Sequence, residues 1–197
     1  IEEINSGGFS GVNIAGATSL HNVLDLSHTK LVGIGEVQGG GATSNDTFYT
    51  SNDSDAVGGQ AYRGGAGNDT FHLGSQSTRL LVSSADNGGF DNFTDNKFGD
   101  AAVHTIVVEG NNTQVGLATI YGGDKTVDVI DATGTSNTSL VGSGDHNNWD
   151  LSTTVLKGIS VVDVGGGNDT VRTAVNTDGP ITYKGGTGTD TLFISLT

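Results

Sequence analysis

The stretch YRGGAGNDTF, residues 62 to 71, returns as YKGGTGTDTL at residues 183 to 192. Each carries a run of glycines, then an aspartate (Asp69, Asp190) two residues ahead of a large apolar side chain (Phe71, Leu192). The chemistry open to such a stretch is oxygen coordination. Glycines permit a tight turn whose carbonyls point to one side, the carboxylate adds a charged oxygen, and the apolar residue anchors the next strand in a core. A hard cation such as Ca2+ takes about six to eight oxygens, more than one turn offers, so two turns must stack for an ion to be shared. The plainer role of these aspartates is to form corners by hydrogen bonding to nearby backbone.

GGAGNDTFH (64–72) and GGTGTDTLF (185–193) both fit the pattern G-G-x-G-x-D-x-U-x, with U a large apolar residue. VGGGNDTVR (164–172) departs only at Val164, and GATSNDTFY (41–49) keeps the first glycine and the latter half. On these residues the chain resembles the RTX, or hemolysin-type, calcium-binding nonapeptide family, whose repeats wind into β-helices that bind Ca2+. The resemblance implies one half-site from the carbonyls of Gly64 and Ala66 with the carboxylate of Asp69, and another from Gly185, Thr187 and Asp190. It also implies that Gly166 and Asp169 belong to the turn stacked beside that of Asp190, and that Asp46 sits beside Asp69. One departure matters. The family runs its nonapeptides in tandem, two per coil, whereas here they stand singly, Asp46 and Asp69 being 23 residues apart and Asp169 and Asp190 21 apart. A broader solenoid with one or two ion sites per block is therefore expected. The likeness covers about residues 39–73 and 163–194.

The elements that must position these turns are short strands. The chain has 197 residues with 33 Gly and 1 Pro, and each interior Gly costs a helix roughly 1 kcal/mol. Val, Ile, Thr, Phe and Tyr occur in short runs bounded by Gly, Asn, Asp and Ser, the composition of an all-β chain with tight turns. Asp or Asn introduces such a run at Asp25, Asp46, Asp69, Asp91, Asn112, Asp131, Asp150, Asp169 and Asp190, with Asp128 serving nearly as well as Asp131. A spacing near twenty is that of one coil of a parallel β-solenoid, right-handed by the rule for parallel crossovers. Stacking the coils lines Leu26, Phe48, Phe71, Phe93, Leu151, Val171 and Leu192 into interior ladders. At longer range HNVLDLSHTKLVGIGEV (21–37) matches HNNWDLSTTVLKGISVV (146–162) at an offset of 125, drifting to 121 at the opening stretch. The chain thus reads as one continuous solenoid, residues 1–197, built from a duplicated block (about 21–73 and 146–194) with a variable middle (about 74–145).

With 22 acidic and 8 basic residues the formal charge is −14, which opposes compaction unless a counter-ion binds. Nucleic acid and anionic membranes need a Lys/Arg patch that this chain lacks, and no apolar run reaches the roughly 18 residues of a membrane span. With no Cys, thiolate sites and a Cys nucleophile are excluded. The chain begins at Ile1 with no Met, the expectation for a processed product or a segment of something longer. His21, His28, His72, His104 and His146 form no close pair with a second ligand, so they read as turn or surface residues, His21 and His146 being repeat-equivalent.

Three function classes remain. The resemblance implies a secreted bacterial cell-surface module, structural or adhesive, that folds on binding Ca2+ after export and stacks with copies of itself in a surface layer or filament. A carbohydrate-active β-helix enzyme needs carboxylates facing cations across a groove, but Lys30, Arg63, Arg79, Lys97, Lys125, Lys157, Arg172 and Lys184 are scattered singly. The expectation is a non-enzyme. A glycan-binding module would use exposed aromatics, for which Trp149, Tyr49, Tyr62, Tyr121 and Tyr183 are the candidates, Tyr62 and Tyr183 reading as structural because they recur.

Overall fold

The computed structural model describes residues 1–41, 43–87, 89–95, 101–120 and 127–195. They form an all-β, parallel solenoid of about 8 turns of ~23 residues. The first three coils carry three strands each: β1 (Glu3–Asn5), β2 (Val12–Ala15) and β3 (Val23–Asp25), then β4 (Lys30–Val32), β5 (Ile34–Gln38) and β6 (Thr47–Tyr49), then β7 (Asp53–Ser54), β8 (Gln60–Arg63) and β9 (Thr70–Leu73). In the next two, β10 (Thr78–Ser83) is followed by a 3-10 turn at Ser84–Asp86 and β11 (Asp91–Asp95), and β12 (His104–Glu109) by β13 (Gln114–Thr119). Three strands per coil return with β14 (Val129–Asp131), β15 (Ser139–Val141) and β16 (Asn148–Asp150), β17 (Val155–Lys157), β18 (Val161–Asp163) and β19 (Thr170–Arg172), and β20 (Asn176–Thr177), β21 (Thr182–Lys184) and β22 (Thr191–Phe193).

Two eight-stranded sheets run the length of the stack, β2-β5-β8-β10-β12-β14-β17-β20 and β3-β6-β9-β11-β13-β15-β18-β21. The third face is β1-β4-β7 at one end and β16-β19-β22 at the other. Between them Ile120 bridges to Trp149, and residues 96–100 and 121–126 lie outside the described residues.

Most strands have three residues, the middle one pointing inward, as at Phe48, Leu140, Trp149 and Val171. One inward apolar residue per side is all a coil needs, which is how 34% hydrophobic residues suffice. Parallel register stacks these residues in rungs roughly 4.8 Å apart. One ladder runs Ile14, Val37, Tyr62, Leu80, Ile106, Ile130, Leu156. A second runs Leu24, Phe48, Phe71, Phe93, with the Phe48 and Phe71 rings stacked at 4.7 Å and Phe71 and Phe93 at 5.4 Å. A third runs Trp149, Val171, Leu192. Leu26 and Leu151 are buried but are not rungs of these ladders. They fill the turns just after β3 and β16, and Leu24 and Trp149 hold the positions aligned with Phe48 and Val171.

The coil is also longer than a spacing near twenty. Asp25, Asp131 and Asp150 each accept from the backbone two residues on, at Ser27, Thr133 and Ser152, so they are local turn formers. Because they stand three residues after the residues that bond between coils, as Asp25 does after Asn22 and Asp150 after Asn147, they shorten the apparent repeat. Ser27 and Thr133 hold Asp25 and Asp131 below the ordinary carboxylate pKa.

The duplicated block does not return to the same face. β3 lies in a long sheet while its counterpart β16 lies in the third face, and β4, β5 and β6 likewise map one face onward to β17, β18 and β19.

Candidate metal centre

Two aspartate ladders form at the corners leading into β6, β9 and β11 and into β19 and β22. In the first, the Asn22 N–H donates to Asp46 Oδ1 at 2.7 Å, the Asp46 N–H to Asp69 Oδ1 at 2.6 Å, and the Asp69 N–H to Asp91 Oδ1 at 2.9 Å. In the second, the Asn147 N–H donates to Asp169 Oδ1 at 2.7 Å and the Asp169 N–H to Asp190 Oδ1 at 3.0 Å. Each carboxylate thus ties its own coil to the one before. Because the block shifts by one face, the two ladders follow different corners of the stack.

The structure therefore brings Asp46 beside Asp69 and Asp169 beside Asp190. Asp91, not expected as a site residue, extends the first ladder. Its signal was visible: every ladder residue stands two before an inward apolar side chain, as Asp91 stands before Phe93, Asn22 before Leu24 and Asn147 before Trp149. Asp128 follows the same rule ahead of Ile130 and accepts from the His104 N–H at 2.7 Å, whereas Asp131 does not.

The second oxygens decide what the turns can hold. Asp69 Oδ2 and Asp169 Oδ2 are buried and have no hydrogen-bond partner among the described residues, on residues only 1% exposed. Asp46 Oδ2 is offered the Ser44 hydroxyl at 3.1 Å, whereas the corresponding residues before Asp69 and Asp169 are Gly67 and Gly167, which have no side-chain donor to give. Burial pushes the Asp69 carboxyl up to about 6, with repulsion from Asp46 and Asp86 adding to it and the Asp46 N–H opposing it. Burial also drives Asp91 well above the ordinary value.

The glycines make room for these carboxylates. A Cβ at Gly39, Gly64 or Gly185 would overlap the carboxylate of Asp46, Asp69 or Asp190 respectively. At Gly39 that same point lies 2.8 Å from the Gly64 carbonyl of the next coil, so a carboxylate and a carbonyl from neighbouring coils converge there. The second glycine of each pair answers to backbone shape: Gly65 has φ 111 and Gly186 φ 77. Val164 is accommodated at the first position of its turn, the carbonyl there still facing inward to accept Asn147 Nδ2 at 2.9 Å. Gly166 and Thr187 bridge directly, the Thr187 carbonyl accepting from the Gly167 N–H at 2.9 Å. A Cβ at Gly89 would lie 3.0 Å from the Ala66 carbonyl, on the coil beyond.

Among the described residues no three His, Asp or Glu side chains gather into a cluster that could hold a metal ion, so any ion in these turns would have to be held by backbone carbonyls with one carboxylate per turn.

The remaining candidates are structural in their placement. Tyr62 is fully buried and its hydroxyl accepts from the Ser51 N–H at 2.8 Å. The equivalent Tyr183 hydroxyl accepts from the Ala174 N–H at 3.1 Å. Trp149 is a core rung with no exposed surface, which removes it, with Tyr62, from any glycan platform. Tyr49 remains half-exposed, stacked on His72 at 4.3 Å. Tyr121, Lys97 and Lys125 lie outside the described residues. His21 and His146 sit equivalently over Asn45 and Asn168 of the following coils. Lys157, Arg172 and Lys184 each pair with the aspartate one coil earlier, Asp131, Asp150 and Asp163, at 3.4, 3.3 and 3.7 Å. Arg63 is held among Glu36, Asp86 and Glu109.

Comparison of the chain with models of protein families, with curated proteins and with solved structures returned no match.

Proposed function

We propose that the chain is a calcium-stabilised structural or adhesive module of a secreted cell-surface protein, in which winding the coils and capturing Ca2+ are coupled. The observation that supports this reading is the pair of buried oxygens without a partner among the described residues, Asp69 Oδ2 and Asp169 Oδ2, in corners of the kind that, at Gly39, bring the Asp46 carboxylate and the Gly64 carbonyl of the next coil together. An ionised carboxylate buried without a partner is costly. Bound there, Ca2+ supplies the neutralising charge and a bond between adjacent turns, so the ion stabilises the folded chain and not the unfolded one. The formal charge of −14 works in the same direction.

The first coil exposes Leu20 and Val23, and Leu192, Phe193 and Ile194 are exposed in turn, each beside strand edges that no other strand pairs among the described residues. Such edges invite another coil, which favours end-to-end stacking of copies. Particles that stay strictly monomeric in millimolar calcium would remove this extension.

The deciding experiment is circular dichroism and thermal melting in chelator and in excess Ca2+, with ion uptake followed by calorimetry. Calcium is expected to be taken up and to raise the melting temperature. Identical melting curves with no heat of binding would leave the aspartates as corner formers only.

A further inference from the structure

Each aspartate ladder starts with an asparagine. At Asn22 the side-chain Nδ2 donates to a ring made of oxygens alone: the carbonyls of Ala17 at 3.0 Å, Leu20 at 2.9 Å and Gly39 at 2.6 Å, and Asp46 Oδ1 at 3.0 Å. Its Oδ1 accepts from the Ala17 N–H at 2.8 Å, which fixes the amide's orientation. Asn147 repeats the arrangement 125 residues on. Its Nδ2 meets the carbonyls of Ser143 at 3.2 Å, Asp145 at 2.7 Å and Val164 at 2.9 Å, and Asp169 Oδ1 at 3.3 Å.

One coil further along, the same place holds a carboxylate oxygen. A Cβ at Gly16 would lie against the Gly39 carbonyl and 2.8 Å from Asn22 Nδ2; a Cβ at Gly39 would lie 2.8 Å from the Gly64 carbonyl and against Asp46 Oδ2. Amide nitrogen and carboxylate oxygen thus exchange places between coils, each beside a carbonyl of the following coil. The two N–H groups of the amide meet four acceptors there, whereas a carboxylate oxygen needs a donor: Asp46 Oδ2 has the Ser44 hydroxyl, and Asp69 Oδ2 and Asp169 Oδ2 have none among the described residues.

We infer that Asn22 and Asn147 are built-in substitutes for the cation: the amide fills the oxygen-lined corner that an aspartate coil leaves for a metal ion, so the choice of Asn or Asp at this one position sets where each row of ions stops. The inference rests on the calcium reading above and adds to it a rule for which coils carry ions. Both asparagines stand at the N-terminal end of their ladder, where they close the row without leaving an unneutralised charge.

Two opposite substitutions test it, read by melting temperature in chelator and by the number of calcium ions bound per chain. Asp169→Asn keeps the Oδ1 acceptor for the Asn147 N–H and supplies the missing donor. It is expected to melt roughly 5 °C higher than wild type in chelator and to bind one ion fewer. Asn147→Asp is expected to melt lower in chelator, to recover in calcium and to bind one ion more. Asp169→Asn melting at or below wild type in chelator overturns the inference, as does Asn147→Asp with the ion count unchanged in a chain whose wild type binds calcium. If the wild type binds none, the module's calcium reading falls, and the chelator melt of Asp169→Asn alone decides whether an amide belongs in this corner. Asp169→Asn also keeps the test decisive should Asn147→Asp fail to fold.

Discussion

The Asp46 N–H reaches across one coil to Asp69 Oδ1 at 2.6 Å, while Asp69 Oδ2 on the same carboxylate is buried with no partner among the described residues. One oxygen holds the stack together and the other strains it. Asp69 binds its proton more tightly in the folded chain, with a pKa near 6, than in the unfolded one. Without metal, the ionised group therefore costs on the order of 3 kcal/mol at pH 7, a cost relieved as pH falls through 6 and gone near 4. Asp25 and Asp131, held below the ordinary value, withdraw their support only below about pH 4. In chelator, the melting temperature is expected to rise from pH 7.5 to pH 5. In saturating calcium the trend should reverse, because protons then compete with the ion. A flat profile in chelator would contradict the burial of Asp69.

Gly64 faces Asp69 with no space for a side chain. Gly64→Ala must displace the buried carboxylate and its bond to Asp46, for an expected loss of about 2–3 kcal/mol in urea unfolding. Gly144, with nothing within 4 Å of a Cβ and no positive φ, is the control: Gly144→Ala should be neutral or slightly stabilising. Equal losses at both positions would mean that the glycines serve chain flexibility and not the carboxylate.

Tyr62→Phe removes the one acceptor that the described residues offer the buried Ser51 N–H, at an expected cost of about 1–3 kcal/mol. Tyr183→Phe breaks the equivalent bond to Ala174 in a half-buried coil and should cost less. Hydrogen exchange at Ser51 and Ala174 separates the two, since each amide should lose protection only in its own variant.

The architecture was legible because a solenoid is local. One inward residue per short strand, and one Asp or Asn two residues before it, repeat visibly along the chain, and the resemblance to the nonapeptide family implied that Asp46 and Asp69 are neighbours. What the spacing did not separate was two uses of one residue type. Asp25 and Asp150 bond within their own turn, Asp69 and Asp169 to the coil before, and only the strand pairing distinguishes them. Trp149 looked like a surface aromatic because interior and exterior alternate within three residues, so a slip of one position reverses the reading, whereas the recurrence of Tyr62 at Tyr183 marked it as structural. The Asn22 and Asn147 amides were invisible for another reason. Their partners are carbonyls, which every residue type supplies alike.

From β3, five rungs along its sheet lead to β15, and the strand after that, β16, is the copy of β3 on the neighbouring face. The interval between copies is thus a whole number of windings plus one side. Two sides of this prism thus accept closely similar sequence, each strand carrying its own corner with it. Lengthening or shortening such a rod by fractions of a revolution would leave its walls continuous while turning its acidic seams to face a new direction.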